Sequence, residues 1–299
     1  MYTFQEVDEL LRKTGYCPNE DIDYAVLIAL ATNRPLLIEG APGVGKTSLA
    51  KAVADALELP LLRVQMYDGL TDDKILYDYD YQKQLLTLEA VRPSLEKEFG
   101  NMTAQEAIRY ASGLLDFYGK EFLISRPILK TIDGSGKKVL LIDEIDKAPE
   151  EIEYMLYEFL EDYSITIPQY GTIRCPDDQR PIVFVTSNCY RELSGAFRRR
   201  CNFLFMEKKT KEEMAGILIA RAGVDKDLAR KIAACLGDPM MDQVKFTPSI
   251  AEGIEWAEYL KQYPELTEKD VMGSLGYLAK SNKDVKTIEK VVRKSGIWN

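Results

Sequence analysis

Gly40-Ala41-Pro42-Gly43-Val44-Gly45-Lys46-Thr47 follows the apolar run Pro35-Leu36-Leu37-Ile38 and runs straight into Ser48-Leu49-Ala50-Lys51-Ala52-Val53-Ala54-Asp55-Ala56-Leu57. The first run reads as a buried strand. The last reads as a helix, with Leu49, Val53 and Ala56 at helical spacing. Between them the glycines let backbone N–H groups turn toward phosphate oxygens, Lys46 reaches the β- and γ-phosphates, and the Thr47 hydroxyl is a ligand for Mg²⁺. The positive end of the helix dipole adds to the cradle, so Gly40 to Ser48 are candidate nucleotide contacts.

Composition narrows the chemistry that can go with this loop. The 299 residues carry 46% hydrophobic and 29% charged residues, the make-up of a globular chain with one large domain or two modest ones. A net charge of -9 argues against a nucleic-acid track, which needs clustered Lys and Arg. Cys17, Cys175, Cys189, Cys201 and Cys235 are scattered and odd in number, which argues against a disulfide framework or a zinc site. There is no histidine, so His-based triads and imidazole metal ligands are excluded and catalysis falls to carboxylates, Lys, Arg and Mg²⁺. The N-terminus lacks a basic, then apolar, leader and no apolar run reaches membrane-spanning length, so a cytoplasmic location is expected.

Further along, Lys138-Val139-Leu140-Leu141-Ile142-Asp143-Glu144 is a buried-type strand that delivers two carboxylates at its C-terminal edge, where ligands bind in open α/β sheets. Asp143 is the candidate second Mg²⁺ ligand, and Glu144 the candidate residue that polarises the attacking water. Asp146 reads as a solvated or capping residue. The stretch from Pro149 to Tyr163 is an amphipathic helix whose acids, Glu153 among them, are expected mostly on a wet face. Ser164 to Ile167 and Thr172 to Arg174 alternate around Pro168-Gln169-Tyr170-Gly171 as a β-hairpin. Ile182 to Ser187 is another buried strand, and Asn188 at its tip is a candidate for positioning the water beside Glu144. Arg198-Arg199-Arg200 follows.

This running order resembles an AAA+ ATPase from about residue 20 onward. A hairpin just before the Asn188 strand, and about 97 residues between Lys46 and Asp143 that leave room for an insert near residues 70–135, resemble the MoxR branch. Tyr67-Asp68-Gly69-Leu70-Thr71-Asp72-Asp73-Lys74 with Tyr77 and Tyr81-Gln82-Lys83-Gln84-Leu85, together with Ile165-Thr166-Ile167-Pro168 and Thr186-Ser187-Asn188, resemble the carbon-monoxide dehydrogenase maturation ATPases within it. The resemblance implies an α/β P-loop domain over residues 1–208, with a central parallel sheet, a pre-sensor-1 β-hairpin and a helix-2-type insert. An all-helical lid over residues 209–299 completes it. It implies a homo-oligomeric, commonly hexameric, ring that binds ATP and Mg²⁺ between subunits, with Arg199 and Arg200 as candidate arginine fingers and Arg198 as a surface residue. It also implies a chaperone or remodeller working with a separate partner that carries a von Willebrand factor A domain.

One departure stands out. Phe246-Thr247-Pro248-Ser249-Ile250 offers Ser249 where relatives carry an arginine at the start of a lid helix. Tyr77-Asp78-Tyr79-Asp80-Tyr81 reads as a partly exposed strand. The competing functional reading is an AAA+ motor acting on nucleic acid. A GTPase switch is disfavoured because Asn282-Lys283-Asp284-Val285 misses the guanine-reading Asn-Lys-x-Asp.

Overall fold

The computed structural model describes residues 2–99, 102–103, 105–106 and 116–298. Nine strands are found among them: β1 Leu36–Gly40, β2 Leu61–Gln65, β3 Tyr77–Tyr79, β4 Leu123–Ser125, β5 Val139–Asp143, β6 Ser164–Ile167, β7 Gly171–Arg174, β8 Ile182–Ser187 and β9 Asn202–Met206. Five of them form one parallel sheet in the order β2-β5-β8-β1-β9. Every parallel neighbour needs a crossover, and helices supply it, so both faces of the sheet are covered and its central strands β5, β8 and β1 are buried along their whole length.

The period of two along each strand sorts the core into two layers. Leu36, Ile38, Val139, Leu141, Ile182 and Phe184 point to the layer made by the helices Phe4–Lys13, Glu20–Thr32 and Lys46–Ala56. Leu37, Leu140, Ile142, Val183 and Val185 point to the opposite layer, where the helix Glu150–Asp162 contributes Ile152, Leu156, Phe159 and Leu160. Burying such side chains is worth about 1.5–3 kcal/mol each, which makes this double layer the main stabiliser of the sheet. At the edge, Phe203 and Phe205 of β9 stay exposed while Leu204 and Met206 are buried. This alternation is not visible in the sequence, where Phe203-Leu204-Phe205-Met206 is a continuous apolar run.

The expected hairpin is present as β6 and β7, closed by Pro168, Gln169 and Tyr170, with Gln169 and Gly171 at positive φ. Glu158 secures it by accepting bonds from Ser164 Oγ, Thr166 N and Thr166 Oγ1. The insert expectation falls in part on residues 100, 101, 104 and 107–115, outside the described residues. Around them, β3 pairs antiparallel with β4, and the helix Tyr81–Phe99 follows β3. The tyrosine stretch is thus strand only over Tyr77–Tyr79. Tyr79 Oη donates to Pro168 O at 3.3 Å and ties this sheet to the hairpin.

From Lys211 onward the described residues are helical: Lys211–Ala222, Lys226–Leu236, Ile250–Leu260, Glu268–Gly273 and Asn282–Ser295. They enclose their own apolar cluster around the fully buried Trp256, whose indole N–H donates to Ser274 Oγ at 2.7 Å. Three of these helices open with capping boxes, at Thr210, Ser249 and Thr267. Ser249, the residue that stands where an arginine was expected, is therefore a helix cap in this chain.

Candidate nucleotide site

The loop Gly40 to Thr47 leaves the C-terminal end of β1 in the middle of the sheet and enters the helix Lys46–Ala56. Two of its glycines are required by close approach. A Cβ on Gly40 would lie 2.3 Å from Met206 O of β9, and one on Gly43 would lie 2.6 Å from Ser249 Cβ. The helical region thus seats directly on the loop. Lys46 is buried, and its ammonium donates to Gly40 O at 2.6 Å, Ala41 O at 2.9 Å and Asn188 Oδ1 at 2.7 Å. Its pKa is lowered chiefly by desolvation, with the Asp146 carboxylate as the largest opposing influence.

Thr47 Oγ1 donates to Asp143 Oδ1 at 3.2 Å across the end of β5. Asp143 also accepts from Thr186 Oγ1 at 2.5 Å and from Arg63 Nη2 at 2.5 Å. Next to it, Glu144 adopts φ 58° and ψ 49°, the left-handed region that costs a non-glycine residue about 1–2 kcal/mol. Its backbone N–H donates to Thr186 Oγ1 at 2.9 Å, so one threonine fixes both the preceding carboxylate and the strained peptide. The turn aims the Glu144 carboxylate into the cleft, where it accepts from Gln65 Nε2 at 2.6 Å, Lys147 Nζ at 2.7 Å and Asn188 Nδ2 at 3.0 Å.

Asn188 therefore bridges Lys46 and Glu144 through the two ends of its amide. What holds it there is Asp146, which is only 4% exposed. Its Oδ2 accepts the backbone N–H of Asn188 at 3.0 Å and of Tyr190 at 2.9 Å. The reading of Asp146 as solvated is corrected: a carboxylate that follows the strand by three residues folds under the neighbouring strand and ties its end. Arg63, Gln65 and Thr186 were given no role in the site from sequence. A signal was there for two of them, since Arg63 and Gln65 share one face of β2 and the register sets Gln65 beside Asp143.

The arginine triplet divides into three environments. Arg198 is not a surface residue as expected: its Nη2 pairs at 2.6 Å with Glu39, a β1 carboxylate only 8% exposed, because a buried acid needs a partner. Arg200 lies 4.4 Å over the Tyr157 ring and pairs with Glu161 at 2.7 Å. Arg199 is exposed, and its guanidinium has no partner among the described residues. The helix Gly195–Arg199, which carries Arg198 and Arg199 and ends on Arg200 as its C-cap, is anchored by Glu153. This residue is fully buried, not wet, and accepts from Arg191 Nη1 and from Ser194 N at 3.0 Å.

A cleft of about 830 Å³ joins these groups, lined by the loop from Pro42 to Ser48, by Asp143, Glu144 and Asn188, by Tyr16 and Cys17, and by Ile217, Arg221, Ile250 and Ile254 of the C-terminal helices. Its size suits a nucleoside triphosphate. Tyr16 Oη is buried with no partner among the described residues, and a Cβ on Gly45 would lie 3.7 Å from it. The donor set also suits Mg²⁺, a hard cation held by one or two protein oxygens plus phosphate oxygens: Thr47 Oγ1 and Asp143 supply them. No group of three or more carboxylate or cysteine ligands occurs among the described residues, so a dedicated all-protein metal cage is not what this site offers.

Comparison with known proteins agrees with this geometry. Residues 35–201, more than half of the chain, match the AAA domain (dynein-related subfamily). The replication factor C large subunit of Archaeoglobus fulgidus is 25% identical over 229 residues, 75% of this chain; the chain spans only 38% of that relative's length. Two mutants of RuvB from Thermotoga maritima superpose with TM-scores of 0.46 and 0.45 at 18% and 17% identity, covering 93% and 98% of this chain and 69% and 71% of theirs. No helix among the described residues is long and apolar enough to cross a membrane. The chain belongs to the AAA domain family, dynein-related subfamily, and is a nucleotide-binding AAA+ ATPase.

Proposed function

We propose that this ATPase is a MoxR-type remodeller that works as a ring of identical subunits, residues 1–208 acting as its motor domain and residues 209–299 as a lid. ATP and Mg²⁺ bind at the cleft described above. Thr47 Oγ1 and the Asp143 carboxylate would hold Mg²⁺, which would supply charge neutralisation at the phosphates. Lys46 turns from its own loop's carbonyls to the phosphates. Glu144 orients and polarises the attacking water, and Asn188, in contact with both, reports the state of the phosphate chain to the strand behind it. Arg199 of an adjacent copy stabilises the charge that develops on the transferred group. It suits that role better than Arg200, which is committed to Tyr157 and Glu161 within its own subunit.

The observation that carries the remodelling half of this reading is the Tyr79–Pro168 bond. Two β-structures that the ATPase sheet does not need, the β3–β4 pair and the β6–β7 hairpin, are joined there into one unit. The hairpin in turn leads through Arg174 and Cys175 toward β8 and Asn188. A change at the nucleotide thus has a short covalent path to an appended structure able to push on a client. A separate protein with a von Willebrand factor A domain supplies the link to that client.

A second reading, a motor acting on nucleic acid, is favoured by one observation, the similarity to a replication factor C large subunit. The net charge of -9 weighs against it. Affinity capture with Glu144→Gln in the presence of ATP separates the two. Recovery of a von Willebrand factor A domain protein, lost when ATP is omitted, supports the remodeller; ATPase stimulation by DNA or RNA with no such protein recovered refutes it.

A further inference from the structure

At the opposite edge of the sheet from the nucleotide cleft, a cavity of about 350 Å³ is walled by Arg34, Arg180, Arg199 and Arg200, with Tyr163 and Glu161. Arg34 lies just before β1, Arg180 just before β8, and Arg199 and Arg200 just before β9. The parallel strands therefore deliver four guanidinium groups to one rim, against a single lining carboxylate. Three of the four are held in place. Arg34 Nη2 donates to Arg199 O at 2.5 Å, Arg180 lies 5.5 Å over the Tyr163 ring and pairs with Asp177 at 2.6 Å, and Arg200 is fixed by Tyr157 and Glu161. The Nε atoms of Arg180 and Arg200 are buried with no partner among the described residues. A buried donor without an acceptor is costly, and pre-oriented guanidinium forks match phosphate oxygens.

We propose that this rim is a phosphate-binding half-site in which Arg180 and Arg34 join Arg199 to hold the triphosphate tail of ATP bound by a second copy of the chain. The chain's own nucleotide is excluded as the source. Strands of five or six residues, roughly 15–20 Å long, separate the rim from the loop at the other edge. This inference rests on the shared-site reading given above and extends it from Arg199 alone to Arg34, Arg180 and Arg199.

The test is complementation between variants. Lys46→Ala disables a subunit's own cleft but keeps its arginine rim; Arg180→Ala and Arg34→Ala do the reverse. Each rim variant alone is expected to lose roughly 10- to 100-fold in ATP turnover, the worth of a charged hydrogen bond, and to bind a fluorescent ATP analogue more weakly than wild type. Adding the inactive Lys46→Ala protein restores turnover, because its rim meets the rim variant's cleft. Arg199→Ala is the control. If Arg199→Ala is rescued and neither Arg180→Ala nor Arg34→Ala is slowed, or both are slowed without rescue, the inference fails alone. If Arg199→Ala is not rescued either, the shared site itself fails. Arg34 is exposed, so its variant keeps the test valid should Arg180→Ala not fold.

Discussion

Asp146→Ala removes the acceptor for two backbone N–H groups, Asn188 at 3.0 Å and Tyr190 at 2.9 Å, at a position that is 4% exposed. Each bond to a charged acceptor is worth about 1.5–3 kcal/mol, so the gross loss is about 3–6 kcal/mol. Removing a desolvated carboxylate whose Oδ1 has no partner among the described residues returns part of this, leaving a net loss of about 2–4 kcal/mol. The larger effect is local. With its backbone released, Asn188 no longer holds its amide between Lys46 and Glu144, and kcat should fall about 10- to 100-fold, in keeping with one misplaced polar group. Phosphate contacts from the loop remain, so ATP affinity should change much less. Asp146→Asn keeps an oxygen for both N–H groups and should recover most of the stability and turnover. Urea unfolding, steady-state ATPase assays and ATP-analogue binding on the three proteins decide the matter. Wild-type kcat in Asp146→Ala, or equal loss in Asp146→Ala and Asp146→Asn, would refute the positioning argument.

Arg199→Ala should lower turnover at least about 10³-fold at unchanged stability, whereas Arg200→Ala should also lower the urea midpoint because it frees Tyr157 and Glu161. Arg191→Met leaves Glu153 buried without its cation and should cost about 3–5 kcal/mol in urea unfolding; adding Glu153→Leu should recover much of it. Burial, and then the neighbouring Asp8 carboxylate, push Asp23 up to about 6, and its Oδ1 has no partner among the described residues. A raised carboxyl pKa means that the native state resists ionisation: the penalty is fully present above pH 6 and absent below its ordinary value of 3.8. Asp23→Asn should accordingly raise the melting temperature at pH 7.5, with the gain fading as pH falls through that window; a gain of equal size at pH 3.5 would contradict it.

The parts of this fold that sequence makes legible are those where one local pattern suffices. Leu36 to Lys46 shows strand, loop and helix in a single window, and Val139 to Glu144 shows a buried run that stops on two acids. The parts that stayed hidden depend on neighbours distant in sequence. Asp146 looks like any acidic turn residue until β8 is laid beside β5. Glu153 looks like one more acid on an acidic helix, because its partner Arg191 lies 38 residues away. Arg198 looks solvated until β9 is set against β1, which brings it to Glu39. β9 itself, Asn202-Phe203-Leu204-Phe205-Met206, is an edge strand with aromatic residues on its open side, so its apolar count carries no clear inward face.

The most direct test of the account is Glu144→Gln, which removes the carboxylate that the left-handed turn aims at the cleft while keeping an amide of the same shape. The account predicts wild-type affinity for ATP, hydrolysis reduced by at least about 10²-fold, and an ATP-dependent closed oligomer seen by light scattering that wild type forms only transiently. Hydrolysis at the wild-type rate, or a protein that stays monomeric with ATP bound, would contradict it.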